Sequence, residues 1–274
     1  MSERVAVRKT YKLFIGGKFP RSESGRSYPV QNTNVSLASR KDVRDAVQAA
    51  RAAVAGWSGA TAYNRGQVLY RVAEMLEGRR DQFVGLGVPT VEVDEAIDRW
   101  VWYAGWADKI AQVYGNANPV AGPYFNLSAP EPTGVVGVVA PAEPALLGLV
   151  SVVAPTIVTG NTVVVLVAET APLPAVTLAE VLATSDLPGG VVNLLTGRPA
   201  ETAPWLAGHM DVNALDLTGV TDPGFAAELE RAAAGNLKRV LRPPAGPVDW
   251  YADPGLGRMT AFLETKTVWH PKGI

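Results

Sequence analysis

An α/β fold is predicted for this 274-residue chain, a parallel sheet covered by helices on both faces with a small β arm attached. Three observations carry that prediction. Segments 134–140, 162–168, 190–195 and 212–217 are short runs dominated by Val, Leu and small residues, as strands buried on both faces read. Stretches of helical period separate them, and strands alternating with helices imply parallel crossovers. Segments 124–132 and 259–269 stand apart as extended, partly polar pieces.

The first third is helical. Val43, Ala46, Val47, Ala50, Ala53, Val54 and Trp57 repeat at three-and-four spacing, with Asp42, Arg44, Asp45 and Arg51 on the other face. Ser39, three residues before Asp42, resembles a capping box. A second helix is predicted over 63–83, with Val68, Leu69, Val72, Ala73 and Leu76 inward. A third, over 93–113, carries Ala96, Ile97, Trp100, Tyr103, Ala104 and Ile110 on its stripe. Its aromatics Trp100, Trp102, Tyr103 and Trp106 sit at helical spacing without a basic patch, so packed core or interface is favoured over a base-stacking platform. Beyond residue 133 the elements alternate: strand 134–140, helix 146–159, strand 162–168, helix 173–184, strand 190–195, short helix 203–209, strand 212–217, helix 225–234, strand 237–241. Ligands of such sheets sit at the carboxyl ends of the strands, so the loops after Ala140, Ala168, Thr196 and Thr218 are where function is sought. The 259–269 arm presents an edge that calls for a pairing partner.

Composition narrows the function. A chain that is 47% hydrophobic and 19% charged builds a large core and is not disordered. With 25 basic against 26 acidic side chains, neither nucleic acid nor an anionic membrane is an expected partner. Zero cysteines exclude disulfides, thiolate metal sites, iron–sulfur clusters and a thiolate nucleophile, and His209 and His270 are the only imidazoles. The apolar stretch 146–167 is interrupted by Ser151, Pro155 and the Thr159-Gly160-Asn161-Thr162 turn, so it reads as a helix and a strand, not a membrane span. Arg4, Arg8, Lys9 and Lys12 precede no apolar core, which is unlike a signal peptide and points to the cytoplasm. On the same ground the sequon Asn126-Leu127-Ser128 is a chance match.

The motifs and their order resemble the aldehyde dehydrogenase superfamily over almost the whole chain. Residues 13–25 (LFIGGKFPRSESG) resemble its opening hairpin, and 46–57 with 69–83 its first helical pair. Residues 134–219 align without gaps to its cofactor-binding core, through GVVGVVAP, Gly160-Asn161-Thr162, Gly189-Gly190-Val191-Val192-Asn193, His209-Met210-Asp211-Val212 and Thr218-Gly219. Gly255-Leu256-Gly257-Arg258 and 263–269 (LETKTVW) resemble its C-terminal signature and oligomerisation strand. The resemblance implies a Rossmann-like sheet, an NAD or NADP site and an oligomerisation arm that adds an edge strand to a sheet in a neighbouring subunit's catalytic domain.

The departures are specific. The family's Pro-Trp-Asn, whose amide donates to the developing oxyanion, reads Pro141-Ala142-Glu143, and an ionised Glu143 is acceptor-only. The family's general base, due shortly after the strand around Val240, is absent from Leu241-Arg242-Pro243-Pro244. Twelve residues separate Arg242 from Gly255, where the catalytic domain with its thiolate would lie, and a domain needs about 50. At the adenosine ribose, Lys-Pro-x-Glu reads Leu166-Val167-Ala168-Glu169, which keeps the Glu169 acceptor and loses the Lys donor. Gly-x-Gly beside the adenine reads Gly197-Arg198-Pro199. At the pyrophosphate, Thr-Gly-Ser reads Thr218-Gly219-Val220, which leaves the backbone amides of the following helix start to meet a phosphate. Each lost hydrogen bond to a charged or ribose group is worth about 1.5–3 kcal/mol, so weak or absent dinucleotide binding is expected.

The expected organisation is a discontinuous cofactor-type domain, 10–123 and 133–246, with oligomerisation strands at 124–132 and 255–271. The expected function is a non-catalytic assembly or regulatory partner, as a homo-oligomer or with a full-length aldehyde dehydrogenase, through 124–132 and 259–269. The alternatives are an NAD(P)-dependent aldehyde oxidoreductase using Glu143, Glu169 and His209, and a nucleotide sensor built on Glu169, Gly197 and the helix after Gly219. Plainer roles are expected for Glu143 as a solvated loop carboxylate, for His209 as a cation at a helix end, and for Lys238, Arg239 and Arg242 as solvated edge charge. His270 is expected to be inert.

Overall fold

The computed structural model describes residues 5 and 9–273. Arg4 and Arg8, invoked above against a signal peptide, lie outside the described residues. Among the described residues no helix is long and apolar enough to cross a membrane.

Gly16 and Gly17, at φ of +60° and +77°, turn the chain tightly so that Ile15 and Lys18 exchange backbone hydrogen bonds of 2.9 and 3.0 Å, the turn expected within 13–25. An antiparallel hairpin of β1 (Ser27–Val30) and β2 (Thr33–Ser36) follows. Helix α1 (Arg40–Gly59) begins at the capping box: Ser39 Oγ accepts from the Lys41 and Asp42 amides, and Asp42 Oδ2 accepts from Ser39 N at 2.7 Å. Asp42 is therefore buried, also taking the Ser22 hydroxyl at 2.7 Å, and does not lie on the solvent face with Arg44.

The helix expected over 63–83 is two, α2 (Ala62–Glu77) and α3 (Arg80–Gly85). Gly78 ends the first by donating to Glu74 O and Leu76 O, and Arg79 leaves helical geometry at φ −117°, ψ 12°. The helix expected over 93–113 also divides, into α4 (Thr90–Trp106) and α5 (Ile110–Tyr114). Trp100 and Tyr103 are fully buried, and Trp102 packs edge-on against Tyr103 and tilted against Trp106, so the aromatic stripe is core.

Next come β3 (Asn116–Asn118) and β4 (Tyr124–Pro132), then the alternating part: β5 (Val135–Val139), α6 (Leu147–Val158), β6 (Thr162–Leu166), α7 (Pro172–Leu182), β7 (Val192–Leu195), α8 (Pro199–Ala207), β8 (Ala214–Asp216), α9 (Pro223–Ala233) and β9 (Arg239–Leu241). The five strands form one parallel sheet in the order β7-β6-β5-β8-β9. Successive residues point to opposite faces. Val136, Val138, Val163 and Val165 meet α2, α4, α6 and α7, whereas Val135, Val139, Val164 and Leu166 meet α1, α8 and α9.

The arm is a helical turn, α10 (Gly257–Thr260), followed by β10 (Leu263–Pro271), so the strand starts four residues later than expected. It pairs antiparallel with β4 over nine residues, from Leu263↔Pro132 to Pro271↔Tyr124, and β3 flanks β4 on the other side. Asn161, fully buried, fastens this arm to the sheet: its Oδ1 accepts from Gly134 N at 2.8 Å and its Nδ2 donates to Phe262 O at 2.9 Å.

Candidate functional site

The strand order reverses between β5 and β8, which places the switch-point crevice between the loops that follow these two strands. The residues singled out from the sequence gather along this carboxyl edge. Pro141 is buried against Gly148 of α6, Ala142 and Glu143 are exposed beside it, Leu166 ends β6, Glu169 lies beyond it, Gly197 follows β7, and Gly219 and Val220 follow β8.

The edge does not fit a dinucleotide as the family motifs would hold one. Every amide from Thr218 to Val220 is already engaged: Thr218 N donates to Asp216 Oδ1 at 2.9 Å, Gly219 N to Val139 O at 2.9 Å, and Val220 N to Leu217 O at 2.9 Å. Helix α9 starts only at Pro223, which has no N–H, and its cap Asp222 takes the Gly224 amide at 2.8 Å. A carboxylate thus caps the helix end where the sequence left room for a phosphate. Glu169 lies 3.3 Å from Arg198 Nε, and Arg198 also holds Glu201 at 2.9 Å. Leu166 is buried and offers no donor. Pro199 is the first residue of α8, a position where its fixed φ and missing N–H suit a helix. Gly197, at φ +141°, packs its backbone against Ala38 and Leu37.

The chain's own C-terminal segment reaches this edge beside an open cavity of about 670 Å³ lined by Thr218, Val220, Pro223 and Arg242. Asp216, the last residue of β8, is buried, and Arg258 Nη1 reaches its Oδ2 at 3.3 Å and Thr218 Oγ1 at 3.2 Å. The Thr218 hydroxyl also donates to Asp216 Oδ1. Burial raises the Asp216 carboxyl above its ordinary range, outweighing Arg258 and the two Thr218 hydrogen bonds, which lower it. Arg258 lies over the Trp250 ring, 5.1 Å from its centroid. Buried Arg99 of α4 holds the same segment, donating to Trp250 O at 2.7 Å, Ala252 O at 3.2 Å and Ser151 Oγ at 3.0 Å. Sequence reading missed Arg99, Asp216, Trp250 and Arg258 as a group. The available signal was an Asp and an Arg set among apolar residues, in 214–217 and 96–103, because buried charges need partners.

The remaining candidates take structural roles. His209 Nδ1 accepts from Asp211 N at 3.2 Å, and the imidazole is lowered chiefly by burial, so it is a neutral acceptor and not the cation expected at the helix end. Arg239 forms a two-pronged pair with Glu264 at 2.6 and 2.7 Å, tying β9 to β10. Arg242 pairs with Glu230 at 2.9 Å, and Lys238 Nζ hydrogen-bonds Asn236. Glu92 of α4, unremarked in the sequence, caps α6: its Oε1 accepts from Leu146 N at 2.6 Å and Leu147 N at 3.1 Å.

The arm is part of a three-stranded antiparallel sheet. On one face, Phe125, Leu127 and Val268 are each about half exposed. On the other, Asn118 Nδ2 donates to Asn126 Oδ1 and Ser128 Oγ, and Ser128 and Thr267 share a hydrogen bond of 2.8 Å. Asn126, of the sequon, is buried.

Comparison with known proteins accords with this geometry. The model of the aldehyde dehydrogenase family matches residues 28–243. Aldehyde dehydrogenase, cytosolic 1, of Elephantulus edwardii is 34% identical over 251 residues, covering 84% of this chain and 49% of its own. Retinal dehydrogenase 2 of Homo sapiens is 34% identical over 252 residues, covering 85% and 48%. The NAD+ complex of an aldehyde dehydrogenase from Bacillus cereus superposes with a TM-score of 0.79 at 27% identity, over 85% of this chain and 50% of that one. HpcC from Thermus thermophilus gives 0.79 at 30%, over 85% and 47%. The chain thus spans about half the length of the relatives it matches.

Proposed function

The chain belongs to the aldehyde dehydrogenase family, and on that premise we propose that it is a non-catalytic member that assembles with, or regulates, a complete aldehyde dehydrogenase. The observation that carries this reading is the arm. β10 pairs with β4 on one side and with no strand on the other among the described residues, leaving a nine-residue edge beside half-exposed Phe125, Leu127 and Val268. Long free edges are templates for another chain. In the family resemblance the arm adds to a sheet of a neighbouring catalytic domain, and the twelve residues between Arg242 and Gly255 leave no room there for such a domain in this chain. The acceptor then comes from another, complete subunit in the cytoplasm.

The chemistry supports the same reading. Acyl transfer through a thioester needs a thiolate, and the 274 residues contain none. In the family resemblance Glu143 falls where the oxyanion amide would stand, and residues 241–244 contain no carboxylate. NAD or NADP has no prepared donors at 218–220, so no dinucleotide step is assigned to this chain.

Size-exclusion chromatography with light scattering tests the proposal, on the chain alone and mixed with a full-length family member from the same organism. Co-elution at the summed mass is expected. Elution of two separate species at micromolar concentration overturns the hetero-oligomer.

A further inference from the structure

A groove of about 810 Å³ opens beside α4 and the loop after β5, within the range of small-molecule sites. One wall belongs to residues 247–251, which lie in the short connection between Arg242 and Gly255, so the groove is a product of this chain's own linker. Arg99 fixes that wall through the Trp250 and Ala252 carbonyls, and Trp250 is buried in the core beneath it.

The charged residues that line the groove are Glu92, Glu143 and Asp249, and no Lys, Arg or His lines it among the described residues. Glu92 is only 4% exposed. Its Oε1 is engaged by the two amides of α6, while its Oε2 accepts no hydrogen bond from the described residues and stays available to a donor entering the groove that Glu92 lines. Apart from Gln31 and Thr170 the rest of the lining is apolar or aromatic, with Pro89, Pro144, Pro172 and Tyr251 prominent. The half-exposed Tyr251 ring offers a π face to a cation. Its phenol is raised by slight burial first and then by the charges of Glu92 and Glu95, in accord with a negative potential there.

We infer that this groove binds an organic cation, an ammonium group carried on an apolar body, with the ammonium at Glu92 and Glu143 and the apolar part against the prolines and Tyr251. The same charges repel a pyrophosphate, which separates the groove from any dinucleotide site. Binding here needs no partner chain, so its failure and that of the assembly proposal are read independently.

The test is calorimetric titration of the full chain with three probes of similar size, 2-phenylethylammonium, 2-phenylethanol and phenylacetate. The ammonium is expected to bind at least roughly tenfold more tightly than the alcohol, with phenylacetate weakest. The exposed pair Glu143→Gln/Asp249→Asn is expected to weaken the ammonium roughly tenfold while leaving the melting temperature unchanged. Glu92→Gln keeps an oxygen for the α6 amides, and in a variant that melts as the parent does it is expected to weaken the ammonium alone. Equal affinity for the three probes, no binding of the ammonium at millimolar concentration, or unchanged affinity in the double variant overturns the inference.

Discussion

Arg258 reaches the carboxylate of Asp216 across 42 residues of sequence, at 3.3 Å, and so joins the C-terminal segment to the final residue of a central strand. The pair lies at the carboxyl edge of the sheet, beside the switch point between β5 and β8.

Removing Arg258, itself 23% exposed, takes a charged donor from the buried Asp216 carboxyl, at a cost of about 2 kcal/mol. Arg258→Met is expected to lower the unfolding free energy by that order in urea denaturation. Asp216→Asn, which keeps the hydrogen-bonding shape, is expected to cost less. Equal losses for the two variants would contradict the placement.

The same carboxyl gives a pH signature. Its proton is held in the folded chain over a range where the unfolded chain has released it, because burial raises it. The stability it contributes is therefore complete below about pH 4 and lost as pH rises through the folded value. The difference in unfolding free energy, wild type minus Asp216→Asn, is expected to decline from about pH 4 upward. A flat or rising difference sinks the assignment.

Arg99 anchors residues 250–252 by two carbonyls. Hydrogen bonds from charged donors are worth about 1.5–3 kcal/mol each, so Arg99→Met is expected to loosen the linker before the core melts. Limited proteolysis reads this directly: cleavage within 243–256 accelerates roughly tenfold or more. Unchanged cleavage would mean that the wall is held by Trp250 packing alone.

Gly219 has no space for a side chain, since an added Cβ falls against the Ala140 carbonyl oxygen. Gly219→Ala is expected to destabilise the chain by about 2 kcal/mol, whereas Gly59→Ala, which meets open space at a helix end, changes little. Thermal melts of the two variants side by side check the contrast.

Dinucleotide binding is expected to stay undetected by calorimetry at millimolar NAD or NADP. Restoring side chains by Leu166→Lys with Val220→Ser is expected to leave it undetected, because the Gly219 and Val220 amides remain bonded to Val139 and Leu217. Micromolar binding by the double variant would show that the amides are released on binding.

The alternation of strands and helices was legible because each strand is a short apolar run and each helix keeps a 3.6-residue stripe, from Val43–Trp57 onward. The break near residue 108 was not, since no proline marks it and Lys109 is a good helix former, whereas the one at Gly78-Arg79 had its signal in Gly78. β3, three residues of Asn-Ala-Asn, carries no strand signal of its own and exists because β4 offers it an edge. At the candidate site, positions were readable from motifs, whereas the state of their hydrogen bonds was not. Gly219 N could be placed near a phosphate from its motif; that it faces Val139 O depends on how β5 and β8 pack. Arg258 with Asp216, and Arg99 with Trp250, are long-range pairings that no local pattern encodes.

The assembly claim is tested most directly by hydrogen–deuterium exchange of this chain, alone and mixed with the full-length family member from the same organism. Amides within 263–271 are expected to exchange readily at the free edge and to become protected by tenfold or more in the mixture, with residues 124–132 following and the helices of 62–106 unchanged. Identical exchange of 263–271 in the two samples, at concentrations well above micromolar, would contradict the account.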